Sequence, residues 1–115
     1  MHEMALAEGI LRIIEDHAAG GGILRVTRVR VEVGRLAGVE IEALRFSFDA
    51  VMRGSVAETA ELEIVEQPGE GWCLDCGVTV EIPTLYAPCP RCDGVRVQAS
   101  GGMQMRVLDL EVERA

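Results

Sequence analysis

The chain has 115 residues, room for one ordinary domain or for a small domain with a metal-held appendage. Eleven basic residues face nineteen acidic ones, a net charge of −8. That disfavours nucleic acid, whose phosphates demand cations, and anionic membrane surfaces alike. Every basic residue is Arg, so Schiff-base and P-loop chemistry, which need a lysine amine, are excluded. Two His and three Ser leave little for a hydrolytic triad, and four aromatic residues little for stacked bases.

Charges at Glu8, Arg12, Glu15 and Asp16 interrupt the N-terminal region. A secretory signal needs about 7–15 uninterrupted apolar residues, and a membrane span about 20. The expectation is a cytoplasmic protein without a membrane partner. In a reducing compartment, four cysteines point to metal or redox chemistry before structural disulfides.

Residues 3–19 read as a helix, with Leu6, Ile10, Ile13, Ile14 and His17 at three- and four-residue spacing. Glu3 suits the positive end of its dipole, His17 suits the carbonyl end, and Gly20-Gly21-Gly22 stops it. Gly9 costs roughly 1 kcal/mol relative to Ala, which suggests close approach of a neighbour. Residues 24–34 read as a strand in which Val29, Val31 and Val33 alternate with polar residues. Leu24 and Val26 are out of phase with them, placing an irregularity near Thr27. A second helix spans 40–53, burying Ile41, Leu44, Phe48 and Val51 and stopping at Gly54. Its opening Glu40 reads as a carboxylate suited to the dipole. A strand follows over 60–66, with Leu62 and Ile64 on one side.

Gln67-Pro68-Gly69-Glu70-Gly71 breaks the pattern, and Ser100-Gly101-Gly102 closes the segment that holds all four cysteines. Residues 103–113 alternate again, shifting phase between Val107 and Leu108, with Met103 and Met105 read as strand core. The expected fold is α+β: two helices on a small three-stranded mixed sheet, with an inserted cysteine module. The domain is assigned to 1–67 and 102–115, and the insert to 68–101. About thirty residues cannot bury a sufficient core, and below ~40 residues a metal or disulfides usually hold the fold.

The cysteines read Cys73-x₂-Cys76-x₁₂-Cys89-x₂-Cys92. Two such knuckles can offer four thiolates in a tetrahedron, the arrangement preferred at structural Zn²⁺ sites. Gly77 and Gly94 are placed where tight turns need positive φ. Thiolates alone do not choose the metal, so an iron site or a redox pair are the competing readings. Between the knuckles there is no basic residue. The module therefore reads as structural or protein-contacting, with no nucleic-acid partner.

The chain opens Met1-His2-Glu3. Initiator Met is trimmed before small residues, so His2 should leave Met1 in place, its amine beside an imidazole. Amine, imidazole and intervening amides can set several nitrogens in one plane, which suits Ni²⁺ or Cu²⁺. The plain alternative is a solvated His at a frayed end.

Met-His-Glu opening an amphipathic helix, Val31-Glu32-Val33-Gly34, Leu44-Arg45-Phe46-Ser47-Phe48, Leu62-Glu63-Ile64 and the paired CxxC knuckles follow one another in the order of a known family. Over essentially its whole length the chain resembles the HypA/HybF family of hydrogenase nickel-insertion proteins. The resemblance implies a metallochaperone, not an enzyme: an α+β domain with a zinc ribbon, delivering Ni²⁺ as transient cargo to the large-subunit precursor of [NiFe] hydrogenase. It implies a HypB-type GTPase as partner and, for some members, urease maturation proteins. Nickel binding then maps onto Met1, His2 and Glu3, and Zn²⁺ onto Cys73, Cys76, Cys89 and Cys92. Where the family often has Asp opening the second helix, Glu40 stands here, which leaves a supporting metal role for it in doubt. Some members carry histidines beside the knuckles; this chain has none. The competing function is a zinc-ribbon protein–protein adaptor whose N-terminus is incidental.

Overall fold

The computed structural model describes residues 2–115. Met1, the first residue of the expected nickel trio, lies outside them. The chain divides into two compact units, one of 1–31, 39–64 and 107–115, the other of 32–38 and 65–106.

In the first unit, helix α1 spans Glu3–Ala18 and helix α2 spans Ile41–Met52. Both are amphipathic, and they pack against each other. Of the expected stripe of α1, Ile10 and Ile14 are buried, joined by Ala7, while Leu6 is half-buried and Ile13, 39% exposed, and His17 fall outside it. The buried face of α2 is Leu44, Ser47, Phe48 and Met52, with Val51 only half-buried. Gly54 follows at φ +77, the left-handed conformation expected of a helix stop.

Strand β1 is Ile23–Gly34, β2 is Glu61–Gln67 and β6 is Met105–Arg114; they form a sheet in the order β2-β1-β6. Val26, Val29 and Val31 are fully buried, with two half-buried residues between the first pair. The change of phase expected near Thr27 is thus present. Val107 and Leu108 are both half-buried, marking the phase shift expected in the last strand. Met103 departs from its expected place: it precedes the strand and is 46% exposed.

The polar face of this sheet is a ladder of ion pairs. Arg28 reaches Glu61 and Arg30 reaches Glu63, residue numbers rising together as in a parallel pair. On the other side Arg28 meets Glu111, Arg30 meets Asp109 and Arg25 meets Glu113, numbers running opposite as in an antiparallel pair. The sheet is therefore mixed, as expected for a strand–helix–strand crossover followed by a returning strand. Arg45 ties α2 to β2 through the Leu62 carbonyl at 2.9 Å. Gly9, expected to mark a close approach, has open space around it: a Cβ there would meet nothing within 4 Å.

The second unit holds a sheet that periodicity did not separate from loop. Strands β3 (Glu70–Cys73), β4 (Val78–Glu81) and β5 (Val97–Gly101) pair antiparallel in the order β4-β3-β5. Strands this short complete only one or two alternations. Their inner face and neighbours, Cys73, Val80, Ile82, Cys89 and Leu36, form a small separate core. Backbone packing in this unit is tight. Gly34 donates to the Gln104 carbonyl at 2.7 Å and Leu36 to the Gly102 carbonyl at 2.8 Å. A Cβ at Gly34 would strike the Gly102 backbone.

Candidate metal centre

The four cysteines reach one point from two knuckles. Cys73 ends β3, Cys76 lies in the turn before β4, and Cys89 and Cys92 lie in the loop before β5. The first knuckle closes with Gly77 donating to the Cys73 carbonyl at 2.8 Å, Gly77 itself at φ +64. The second closes with Asp93 donating to the Cys89 carbonyl at 2.8 Å. Here Asp93, at φ +60, takes the left-handed position expected of Gly94. Asp tolerates that region better than most residues. Gly94 is small for another reason: a Cβ there would lie 3.0 Å from Asp75 and 3.2 Å from the Cys92 sulfur.

All four Sγ atoms lie within 4.8 Å of one another. Cys73 and Cys92 are 3.7 Å apart, and Cys76 and Cys89 are 3.9 Å apart. A disulfide requires about 2.05 Å, so none is present among the four, and all are free thiols. Tetrahedral Zn–S bonds of about 2.3 Å imply sulfur–sulfur edges of about 3.8 Å. The two edges Cys73–Cys92 and Cys76–Cys89 match that length. Three backbone N–H groups point at its sulfurs: Cys76 at Cys73, Arg91 at Cys89 and Gly94 at Cys92, each at 3.4 Å. Such donors stabilise thiolate, the ligating form.

Hydrogen bonding to Cys92 and burial push the Cys76 thiol pKa up to about 12. Burial also raises Cys89, but the backbone N–H groups of Cys92 and Arg91 outweigh it and bring it down to about 7. Four negative charges cannot share this space without a cation, and a divalent ion supplies one. Donor type, spacing and preorganised N–H groups all fit a closed four-thiolate zinc site. Beside it, Arg96 bonds Asp75, holding that carboxyl below its usual range. Cys73 and Cys89 are buried and Cys92 is exposed.

The N-terminal residues stand apart from the cysteine cluster in the chain and belong to the first unit. His2 is the N-cap of α1, at φ −88 and ψ 103, with its side chain uninvolved in capping. It is exposed, and its carbonyl accepts from Leu6 at 3.2 Å. Glu3 turns toward α2 and its Oε2 accepts the Glu40 N–H at 3.2 Å. That bond, first among the causes, lowers the Glu3 carboxyl below its ordinary value. Glu40 is the N-cap of α2, its Oε1 accepting from Glu42 at 3.1 Å. The carboxylate read as a simple dipole partner is thus a cap. Nothing in the sequence pairs positions 3 and 40, since the contact spans 37 residues and arises only when the helix starts meet. His17 bonds the Ile13 carbonyl at 2.9 Å, a helix-end role as expected.

Among the described residues, no helix is long and apolar enough to cross a membrane. A family model described as HypA, hydrogenase/urease nickel incorporation, metallochaperone, matches residues 1–112. A hydrogenase maturation factor HypA of Xanthobacter autotrophicus is 52% identical over 112 residues, 97% of this chain and 99% of that one. Its counterpart from Rhodobacter capsulatus is 54% identical over the same shares. Among solved structures, the Ni metallochaperone HypA from Helicobacter pylori aligns with a TM-score of 0.67 at 28% identity, covering 97% of each chain.

Proposed function

Because the chain belongs to the HypA family of hydrogenase nickel-incorporation metallochaperones, which are not enzymes, we propose that it binds Ni²⁺ at its own N-terminus and hands it on during maturation of [NiFe] hydrogenase. The observation that supports the reading most is the state of His2. It caps a helix with its backbone while its imidazole is exposed and, among the described residues, makes no capping bond. The N–H groups of the first helical turn lack intrahelical acceptors, so the Glu3 amide can lose its proton without breaking the helix. The α-amine of Met1, the His2 amide and imidazole and the Glu3 amide then form a set of nitrogens suited to a tetragonal Ni²⁺. A cation at a helix N-terminus meets the positive end of the dipole. Amide deprotonation and the Glu3 carboxylate bring the compensating charge to that end.

Cys73, Cys76, Cys89 and Cys92 hold a resident Zn²⁺, whose role is structural: a closed thiolate site has no open position for chemistry. We assign the nickel site to a domain of 1–67 and 102–115 and the zinc site to an insert of 68–101. The partners that follow are the hydrogenase large-subunit precursor and a HypB-type GTPase, with urease maturation proteins as a further set, in the cytoplasm.

The test is nickel binding by the untagged zinc-loaded chain against two variants, His2→Ala and an N-terminal extension. The extension removes no side chain; it turns the amine into an amide, a poor ligand. Both should lose the site while zinc content stays unchanged. Native nickel affinity in the extended protein would exclude amine ligation, and the absence of any nickel site in the untagged native chain would leave the zinc-ribbon adaptor as the better reading.

A further inference from the structure

The outer face of the β4-β3-β5 sheet is built for a partner. Its strands alternate strictly: Gly71, Cys73 and Val80 are buried, while Glu70, Trp72, Thr79, Glu81 and Gln98 are exposed. Trp72, the sole tryptophan of the chain, stands on the central strand between Thr79 and Gln98 and is 41% exposed. Two pairs along, on the same face, Glu70 lies directly opposite Glu81.

Like charges directly opposite on neighbouring strands destabilise a sheet. Elsewhere the protein avoids this: on the polar face of the β2-β1-β6 sheet, Arg28 and Arg30 separate the flanking carboxylates and pair with them. Among the described residues neither Glu70 nor Glu81 has an ion-pair partner; the arginines of this unit that form ion pairs, Arg96 and Arg106, are taken by Asp75 and Glu32. Glu70 also borders a cleft of about 310 Å³, with Gln67, Ser100 and Gln104 on its walls. Its carboxylate rests beside Gly101, within contact distance of where a Cβ would stand: 3.4 Å from Oε1.

An exposed indole beside two unneutralised carboxylates and a polar cleft is complementary to one chemistry above others. A guanidinium stacks on an aromatic face and takes carboxylates bidentately, and an ammonium does only part of this. A second copy of this chain is a poor occupant, because its net charge of −8 repels. We propose that this face docks an arginine-bearing segment of a partner protein, with Trp72 as platform and Glu70 and Glu81 as countercharge. The proposal is independent of how nickel is bound.

The probe is a capped peptide of alternating arginine and glycine, titrated into the zinc-loaded chain while Trp72 emission is followed. A capped glutamate–glycine peptide is the control. The expected result is a saturable change with the arginine peptide alone, weakening as salt rises. Glu70→Gln combined with Glu81→Gln should lower the affinity by roughly 2- to 30-fold, the product of two exposed charge pairs. Trp72→Leu, followed by calorimetry, should lower it too, with zinc content and circular dichroism confirming the fold. Glu81→Gln alone should raise the midpoint of thermal unfolding, because it ends a repulsion. The proposal is overturned by equal binding of both peptides, by no saturable change, or by undiminished affinity in the double variant. A fall in unfolding midpoint for Glu81→Gln would show the pair to be structural and overturn it too, as would self-association of the free chain that the double variant abolishes.

Discussion

Two glycines separate backbone cost from backbone necessity, and the same substitution should act on them with opposite sign. Gly9 sits inside α1, and a Cβ there would meet nothing within 4 Å. It does not adopt positive φ. Ala therefore fits without strain and removes only the extra freedom that glycine has in the unfolded chain. The expected gain is about 0.8–1.0 kcal/mol, raising the unfolding midpoint by roughly 4 °C. Gly34 ends β1, and the three atoms nearest a Cβ there all belong to the Gly102 backbone, its Cα at 2.9 Å. Gly102 is itself fixed at φ +76 and accepts from Leu36 through its carbonyl. No flexible side chain can yield, so the backbone must shift. Overpacking of this kind costs about 1–3 kcal/mol or more. The assay is urea unfolding of both variants with zinc bound, comparing midpoints at unchanged slope. A destabilised Gly9→Ala would mean that a neighbour does approach that helix face. A neutral Gly34→Ala would mean that the close backbone passage is not a constraint.

Two further outcomes follow from the sites. Cys73→Ala should lose stoichiometric zinc and disorder the β4-β3-β5 sheet, because a structural zinc site contributes roughly 10 kcal/mol or more; unchanged zinc content by elemental analysis would reject the ligand set. Glu3 has a carboxyl lowered first by the Glu40 N–H, so its contribution is present above the ordinary carboxylate pKa and is lost as pH falls through the lower folded one. Glu3→Ala should therefore be less stable than the native chain near neutral pH, the difference closing in acid; a difference that persists in strong acid would show that the contact is not ionic.

Much of this was legible in the residues. Periodicity located both helices and the three longer strands because each presents one apolar face over at least two repeats, enough for Leu44 and Phe48, Val29 and Val31 or Leu62 and Ile64 to register. Cysteine spacing located the metal cluster, because short knuckles leave thiolates few other places to go. What escaped were features that depend on neighbours distant in sequence. Ile13 fits the stripe of α1 as well as Ile14 does; only the closeness of the packed elements chooses Ala7 and Ile14. The strand carrying Trp72 has four residues, too few to distinguish from loop. Asp93 rather than Gly94 takes the left-handed turn, and Gly94 instead provides room beside Asp75 and the Cys92 sulfur, neither of which the spacing shows. The bond from Glu40 to Glu3 has no local signature at all.

The two metal positions, as proposed, keep cargo and scaffold apart by chemistry. The cysteine cluster offers four soft donors at tetrahedral edges, two of them buried, with N–H groups already aimed at the sulfurs. An ion there has no free position, and its departure would leave four thiolates crowded together without a countercharge. The terminal set offers nitrogen donors, exposed at His2, on a helix start that remains hydrogen-bonded through the His2 carbonyl. Zinc, a d¹⁰ ion, gains nothing from a planar nitrogen set, whereas Ni²⁺ does. Each terminal nitrogen must also be free of its proton to bind, and no buried scaffold shields it from competing protons. A modest local supply of protons, or a better ligand on the receiving protein, therefore competes at the terminus well before it can compete at the thiolates. Release of the cargo then needs no unfolding, because none of the bonds that hold either sheet passes through the terminal nitrogens.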